Sequence, residues 1–111
     1  MKLLTKAITA KLIKNYEATT ANPDNDPKPA LKVFNPCGAA TWLFTELDGD
    51  LLFGLCDLGM GFPELGYASL TELAGVKGPL GIGLERDMYF EADKTLSEYA
   101  DEARNTGSIN A

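Results

Sequence analysis

Carboxylates are the most plentiful reactive side chains of this chain, whose 111 residues include sixteen Asp and Glu residues and no histidine. Without histidine, neither a Ser-His-Asp nor a Cys-His catalytic site can form, and the commonest general base near neutral pH is missing. Two cysteines are too few for a four-cysteine zinc site. Carboxylates that converge in one cleft, in contrast, could bind Mg²⁺ or Mn²⁺ and support the hydrolysis of a phosphodiester.

Seven carboxylates are the candidate binding residues of the chain. They are Glu46, Asp48, Asp50, Asp57, Glu64, Glu85 and Asp87. A metal site would require Asp57 and Glu64 to meet a carboxylate from the segment 85–87. The structural alternatives are a ladder of surface ion pairs along 85–87 and a cap of the following glycine turn by Asp57. We therefore assign no catalytic residue, no metal ligand and no cofactor.

A β-hairpin is predicted in the middle of the chain, because two apolar runs, residues 39–47 and 51–58, flank the turn signal Asp48-Gly49-Asp50. With a two-residue turn at Asp48-Gly49, the apolar residues that share a face are Trp42, Phe44, Leu51, Phe53 and Leu55 on one side and Leu43, Leu47, Leu52 and Cys56 on the other. A three-residue turn would regroup these residues without making either face polar. Both must therefore be covered, either by the two long helices or by another protein chain, and a homodimer through the apolar hairpin is one such arrangement.

A glycine-rich loop, residues 59–66, follows the hairpin, and four of its eight residues are glycine or proline. Glycine admits φ angles that other residues adopt only at a cost, and Pro63 fixes its own φ, so the sequence encodes the shape of this loop. We expect Asp57, Glu64 or both to accept hydrogen bonds from backbone N–H groups in the loop or at the helix start near Ser69. A rigid acidic loop of this kind is where a binding site would lie.

Apolar periodicity, capping boxes and turn residues predict the remaining elements. These are a helix over 2–16, a Pro-rich loop over 17–29, strands over 30–34 and 65–69, a helix from Ser69 to Gly75 or Gly78, a long or bent strand over 81–91, a helix from Thr95 to Gly107, and a tail over 107–111. The length suits a single globular domain, 1–111. Short links favour the α+β class, with a small, mainly antiparallel sheet on which an N-terminal, a short middle and a C-terminal helix pack.

The charge of the chain is uneven, with a net charge of +3 over residues 1–36 and −9 over residues 37–111, and a total of −6. This acidity disfavours direct binding of nucleic acid and favours a protein partner with a basic surface. Lys6, Lys11 and Lys14 interrupt any apolar region of a signal peptide, and carboxylates interrupt the longest apolar run well short of a membrane span. We therefore predict a cytoplasmic protein with no membrane segment, whose two cysteines are reduced thiols.

Four segments of the chain together resemble one known family. They are TWLFTEL at 41–47, FGLCDLGMG at 53–61, PELGY at 63–67 followed by SLTEL at 69–73, and GLERD at 83–87 followed by Phe90. In this order, over about residues 28–108, they resemble a family of small acidic proteins of unknown function that is carried on bacterial plasmids and integrative mobile elements. The resemblance implies no known activity and no catalytic residues. It implies a setting in which small accessory proteins assist DNA transfer or blunt host defences, which is association and not mechanism.

Three functional hypotheses follow from these observations. The first is a non-enzymatic, protein-binding accessory of mobile DNA, an inhibitor whose acidic face occupies the basic groove of a host nucleic-acid-handling defence system. The alternative is a metal-dependent hydrolase of nucleic acid or nucleotide that uses clustered carboxylates. The third is a self-associating module that uses the apolar hairpin. The observation that best separates them is whether the carboxylates converge.

Overall fold

The computed structural model describes residues 2–111. Its elements are, in chain order, α1 (Lys6–Ala21), β1 (Leu31–Phe34), β2 (Thr41–Asp48), β3 (Leu51–Asp57), β4 (Glu64–Ser69), α2 (Leu70–Gly75), a 3₁₀ turn (Pro79–Gly81), β5 (Glu85–Arg86) and α3 (Leu96–Thr106). The strands form one sheet in the order β4-β3-β2-β1-β5, and every neighbouring pair is antiparallel. The predicted α+β fold is confirmed.

The sheet has a core on each face. The core beneath α1 and α2 includes Leu12, Val33, Trp42, Phe44, Leu52 and Leu73. The core beneath α3 includes Leu43, Leu55, Leu96, Tyr99 and Ala103. Both apolar faces of the hairpin are therefore covered, as the sequence requires, and the chain's own helices cover them. A homodimer is not needed to bury the hairpin.

The grouping of hairpin residues by face that a two-residue turn predicts is wrong because of a β-bulge. The turn lies one residue later than predicted, at Gly49-Asp50, which by itself leaves the grouping unchanged, but the bulge shifts the register between Phe44 and Glu46. Because side chains alternate between faces, this one-residue shift of β2 against β3 exchanges the faces. Trp42 therefore lies opposite Cys56 and shares its face, whereas the prediction placed the two on opposite faces.

Gly54 explains why the sheet tolerates this bulge. A Cβ atom at position 54 would lie 1.9 Å from the carbonyl oxygen of Leu43 and 2.7 Å from Cα of Phe44. Two neighbouring strands can approach this closely only where one of them has no side chain. The bulge of β2 and the glycine of β3 are thus one structural unit.

The first helix differs from its predicted range at both ends, because the sequence predicts 2–16 and α1 spans Lys6–Ala21. Thr5 is the N-cap, and its hydroxyl accepts a hydrogen bond from the N–H of Ile8 at 3.1 Å. Asn22 ends the helix because it precedes Pro23, and a residue before proline avoids the helical region. The predicted loop over 17–29 therefore begins only after Ala21.

The predicted long strand over 81–91 is also wrong, since only Glu85–Arg86 pairs with β1. Its apolar residues Met88 and Tyr89 are exposed, so they do not mark a buried strand. The predicted helix starts at Ser69 and Thr95 are confirmed, as are the stops at Gly75 and Gly107. No helix within residues 2–111 has the length and apolar character needed to cross a membrane.

Candidate functional site

The seven candidate carboxylates do not come together. One row of paired residues crosses the sheet from β3 through β2 and β1 to β5. It consists of Asp57, Thr41, Phe34 and Glu85, in that order. Neighbouring strands are about 4.8 Å apart, so Asp57 and Glu85 are separated by about 14 Å. Ligands of one metal ion lie within about 2–2.6 Å of it. In the part of the chain that the structure describes, no group of three Asp, Glu or Cys side chains could hold a metal ion.

Two of the candidate carboxylates are buried and bonded within the fold. Glu46 accepts a hydrogen bond from the hydroxyl of Thr19 on α1 at 2.9 Å. Asp57 accepts hydrogen bonds from the N–H groups of Gly59 at 2.8 Å and Ile109 at 3.0 Å. Thr19 and Ile109 are both distant from these carboxylates in sequence. The two side chains therefore stabilise the fold and are not offered to a partner.

Asp50 stands at the start of α2. Its carboxylate accepts hydrogen bonds from the hydroxyls of Ser69 at 2.5 Å and Thr71 at 2.7 Å, and from the N–H of Thr71 at 3.0 Å. These bonds lower the pKa of the Asp50 carboxyl from its usual value. The hairpin tip and the helix start are thereby tied together, while the neighbouring carboxylate of Asp48 is exposed.

Glu85 and Asp87 lie at the opposite edge of the sheet from the glycine-rich loop. Asp87 pairs with Lys32, with 3.4 Å between Oδ2 and Nζ, and also accepts the N–H of Tyr89 at 2.9 Å. The guanidinium of Arg86 donates to the carbonyl of Lys2 at 2.7 Å. These contacts hold β5 to β1 and to the N-terminal segment. They form no common surface with the hairpin tip.

The glycine-rich loop has the special backbone angles that its sequence predicts. Gly59 and Gly61 have φ angles of +82° and +83°, which side chains rarely tolerate. Asp57 accepts the N–H of Gly59, which confirms one of the two expected carboxylate contacts. Pro63 is buried, whereas Glu64 is exposed. A Cβ atom at Gly59 would lie 2.7 Å from Cβ of Ala39, so the loop packs closely against the β1–β2 connection.

Five of the twelve large apolar side chains that are exposed in the described residues lie close together in sequence, between Leu58 and Tyr67. The exposed fractions are 59% for Leu58, 73% for Met60, 80% for Phe62, 40% for Leu65 and 71% for Tyr67. We call these five residues the glycine-loop surface. The ring of Tyr67 contacts that of Phe53, with 5.0 Å between centroids, which fixes its position on the sheet. Clusters of exposed apolar residues are typical of protein–protein contact sites.

The glycine-loop surface lies in the acidic half of the molecule. From Val33 to Val76 the chain has six acidic residues and no lysine or arginine. Of these, Asp48, Asp50, Glu64 and Glu72 are exposed. β4 also ends the sheet on this side. Glu64 adjoins the loop at the start of β4, and Asp50 contacts Ser69 at the end of that strand. A partner that presents apolar and basic groups suits this arrangement.

Sequence reasoning missed two polar networks, one of which joins distant segments. Asp26 accepts hydrogen bonds from the N–H of Ser97 at 3.1 Å and from its hydroxyl, and so docks the Pro-rich loop on the start of α3. Partial burial raises the pKa of Asp26, but these hydrogen bonds outweigh it and lower the pKa overall. Asp93 accepts the hydroxyl of Tyr99 at 2.8 Å. An Asp inside a Pro-rich loop, such as Asp26, signals a turn as readily as a cap, so the sequence held no distinctive sign of its contact with Ser97.

The cysteines carry no sign of nucleophilic chemistry. Both are free thiols, Cys37 exposed and Cys56 partly buried beside the α1 core. Burial raises the pKa of the Cys56 thiol, which keeps it protonated and unreactive. The prediction of unpaired thiols is confirmed, and Cys56 serves as a packing residue.

One family model matches almost the whole chain. It covers residues 3–110 and is described as "Protein of unknown function (DUF2958)". No curated protein and no solved structure matches the chain. The match confirms the resemblance to an uncharacterised family and extends it to include α1. The chain therefore belongs to the DUF2958 family of proteins of unknown function.

Proposed function

We propose that this protein is a non-enzymatic, cytoplasmic protein-binding accessory of mobile DNA. Its partner is a protein with a basic surface, and a nucleic-acid-binding groove of a host defence system has that chemistry. The single observation that carries the proposal is the glycine-loop surface, which displays Leu58, Met60 and Phe62 on a rigid loop in the acidic half of the molecule. The resemblance to proteins of plasmids and integrative elements supports the cellular setting.

The rigidity of the loop supports a binding role. Leu58, Met60 and Phe62 alternate with Gly59 and Gly61, which have positive φ angles, and all three apolar side chains are exposed. A loop already fixed by Asp57 and Pro63 loses little conformational entropy when a partner binds, so more of the contact energy appears as affinity. Aromatic and methionine side chains are enriched at the centres of protein interfaces.

The charge near the glycine-loop surface supports a basic partner. Exposed Glu64 adds a negative charge beside the glycine loop, and Asp50 adds one at the other end of β4. The resulting negative potential speeds association with a basic protein and falls with added salt, because the Debye length shortens from about 10 Å at 0.1 M to about 3 Å at 1 M. The apolar contacts then hold the complex.

The test is affinity capture from a lysate of the host, with the wild-type chain and two variants as bait. Phe62→Ser removes the most exposed apolar residue of the surface, and Tyr89→Ser removes an aromatic that is 89% exposed elsewhere. We expect one partner to be captured by the wild type and by Tyr89→Ser and to be lost with Phe62→Ser. Capture of the same proteins by all three baits would contradict the proposal.

Glu64→Gln removes one negative charge from the same surface and keeps nearly the same side-chain shape. Glu64 is exposed, so the substitution should leave the fold intact while weakening the complex and reducing its sensitivity to salt. Unfolding of this variant without a separate binding defect would show that Glu64 is structural. A complex whose affinity ignores salt would overturn the electrostatic part of the proposal.

A further inference from the structure

The outer edge of β4 offers backbone hydrogen-bonding groups whose directions follow from the pairing of the sheet. In the two-residue hairpin, Asp48 and Leu51 face each other next to the turn, so Leu51 directs its backbone groups toward β2. These directions alternate along a strand, so Leu52, Gly54 and Cys56 of β3 direct their backbone N–H and C=O groups toward β4.

The alternation continues across β4. Gly66 pairs with Gly54 and Ala68 pairs with Leu52, so Gly66 and Ala68 direct their N–H and C=O groups toward β3. The N–H of Leu70 donates to the carbonyl of Asp50 at 2.8 Å, which agrees with this assignment. Leu65 and Tyr67 therefore direct their N–H and C=O groups outward, at the end of the sheet.

Between the carboxylates at its two ends, this edge lacks the usual features that prevent pairing. Proteins commonly protect an edge strand with lysine, proline or a bulge, or keep it very short. β4 has six residues with no lysine or proline among them, and it pairs with β3 without a register shift. β5, at the other edge, has only two residues. The side chains of Leu65 and Tyr67 are exposed on one face of the same strand.

The charge at the two ends of β4 decides which kind of strand fits. Exposed carboxylates stand at both ends, with Glu64 at the start of β4 and Asp50 beside Ser69 at its end. A second copy of this chain would bring the same negative charges together, which is unfavourable. An extended segment with lysine or arginine would be attracted at both ends.

We propose that β4 binds an extended segment of the partner by strand addition, and that this segment alternates apolar residues with lysine or arginine. The inference rests on the proposed function and names how the partner binds. The segment's backbone pairs with the outward groups of Leu65 and Tyr67, and its apolar side chains lie against theirs and toward Phe62. Its basic side chains lie near the carboxylates at the two ends of β4.

The first experiment selects peptides and then locates them on the chain. A library of random peptides displayed on phage is selected on the full chain at physiological salt, and the enriched peptide is synthesised and added to isotopically labelled protein. Amide hydrogen exchange is then followed by NMR. Without peptide, the amides of Leu65 and Tyr67 should exchange fast while those of Gly66 and Ala68 are already protected, which provides an internal reference.

The expected result is an enriched peptide with alternating apolar and basic residues that slows exchange at Leu65 and Tyr67 at least tenfold. Failure to select any peptide, or protection at other residues only, would overturn strand addition. Protection of these two amides without peptide, together with a concentration-dependent dimer in sedimentation, would also overturn the proposal, because the occupant would then be a second copy.

The second experiment compares two variants at one position. Tyr67→Ala removes the side chain and keeps the outward N–H, whereas Tyr67→Pro removes both. Since proline is tolerated where an edge N–H faces solvent, the fold should persist, and far-ultraviolet circular dichroism checks this. Tyr67→Pro should bind the selected peptide about tenfold more weakly than Tyr67→Ala. Equal affinities would overturn backbone pairing, and if Tyr67→Pro unfolds, the exchange experiment on the wild type decides.

These outcomes are separable from those of the proposed function. If Phe62→Ser abolishes capture of the partner while Leu65 and Tyr67 stay unprotected in the complex, the protein binds through its loop and strand addition is wrong. If Phe62→Ser changes nothing in capture, the proposed function itself fails, whatever the peptide does at β4.

Discussion

Asp57→Asn is the substitution that most directly tests how the glycine loop is held. The side chain is 3% exposed, and each carboxylate oxygen accepts one backbone N–H, from Gly59 at 2.8 Å and from Ile109 at 3.0 Å. Asparagine has nearly the same shape, but it replaces one acceptor oxygen with an NH₂ donor. One of the two N–H groups would then face another donor in a buried site.

The expected cost follows from these contacts. A hydrogen bond to a charged group contributes about 1.5–3 kcal/mol, and a buried donor left without an acceptor adds its own desolvation penalty. We therefore expect Asp57→Asn to lower the free energy of unfolding by about 2–3 kcal/mol. For a domain of this size, that corresponds to a fall in Tm of about 8–12 °C.

The assay is chemical denaturation followed by tryptophan fluorescence, since Trp42 is buried in the α1 core. Asp48→Asn is the matched control, because Asp48 is exposed at the hairpin tip and its change should stay within about 0.5 kcal/mol. A free energy of unfolding for Asp57→Asn within that same margin would refute the view that this carboxylate fixes the loop.

Three further predictions concern the bulge, the acid limit of stability and the thiols. Gly54→Ala should cost about 3 kcal/mol or more in denaturation, because its Cβ would lie 1.9 Å from a backbone oxygen, whereas Gly66→Ala, with nothing within 4 Å, should be nearly neutral. The pKa of the Asp26 carboxyl is lowered from 3.8 in the folded chain. Its contribution to stability is therefore complete above pH 3.8 and is lost as the pH falls through the folded-state pKa. Over this range of falling pH, thermal melts should show a smaller decrease in Tm for Asp26→Asn than for the wild type. Exposed Cys37 should react with a thiol reagent faster than Cys56, as mass spectrometry of the labelled chain can measure.

The outcome for the hairpin shows how far sequence patterns reach. Two apolar runs and a turn signal were enough to predict β2 and β3 and the need for cover on both faces. The pattern could not assign residues to faces, because a bulge near Thr45 changes which residues of β2 and β3 share a face. Gly54 was the one local sign of the bulge, and a glycine inside a strand marks a tight bend or the close approach of a ligand just as often.

Errors elsewhere have a common physical origin. The strand predicted over 81–91 rested on β-type residues that include Met88 and Tyr89, yet these two side chains are exposed. Apolar residue types predict burial only where the chain has a surface to pack against, and that surface is set by contacts far away in sequence. The cap that Asp26 provides for α3 spans 71 residues and has no local signature. Capping boxes, in contrast, are local, and the one at Thr95 and Glu98 was predictable.

The acidity of the central half and the exposed edge of β4 are best explained together. A sheet edge with unprotected backbone groups and exposed Leu65 and Tyr67 would pair with another copy of itself unless something opposed it. A lysine on the strand would oppose self-pairing, but it would equally repel a basic partner. Carboxylates at the two ends of the strand, such as Glu64 and Asp50, repel a second copy and attract a basic segment, so the edge stays available for a different chain.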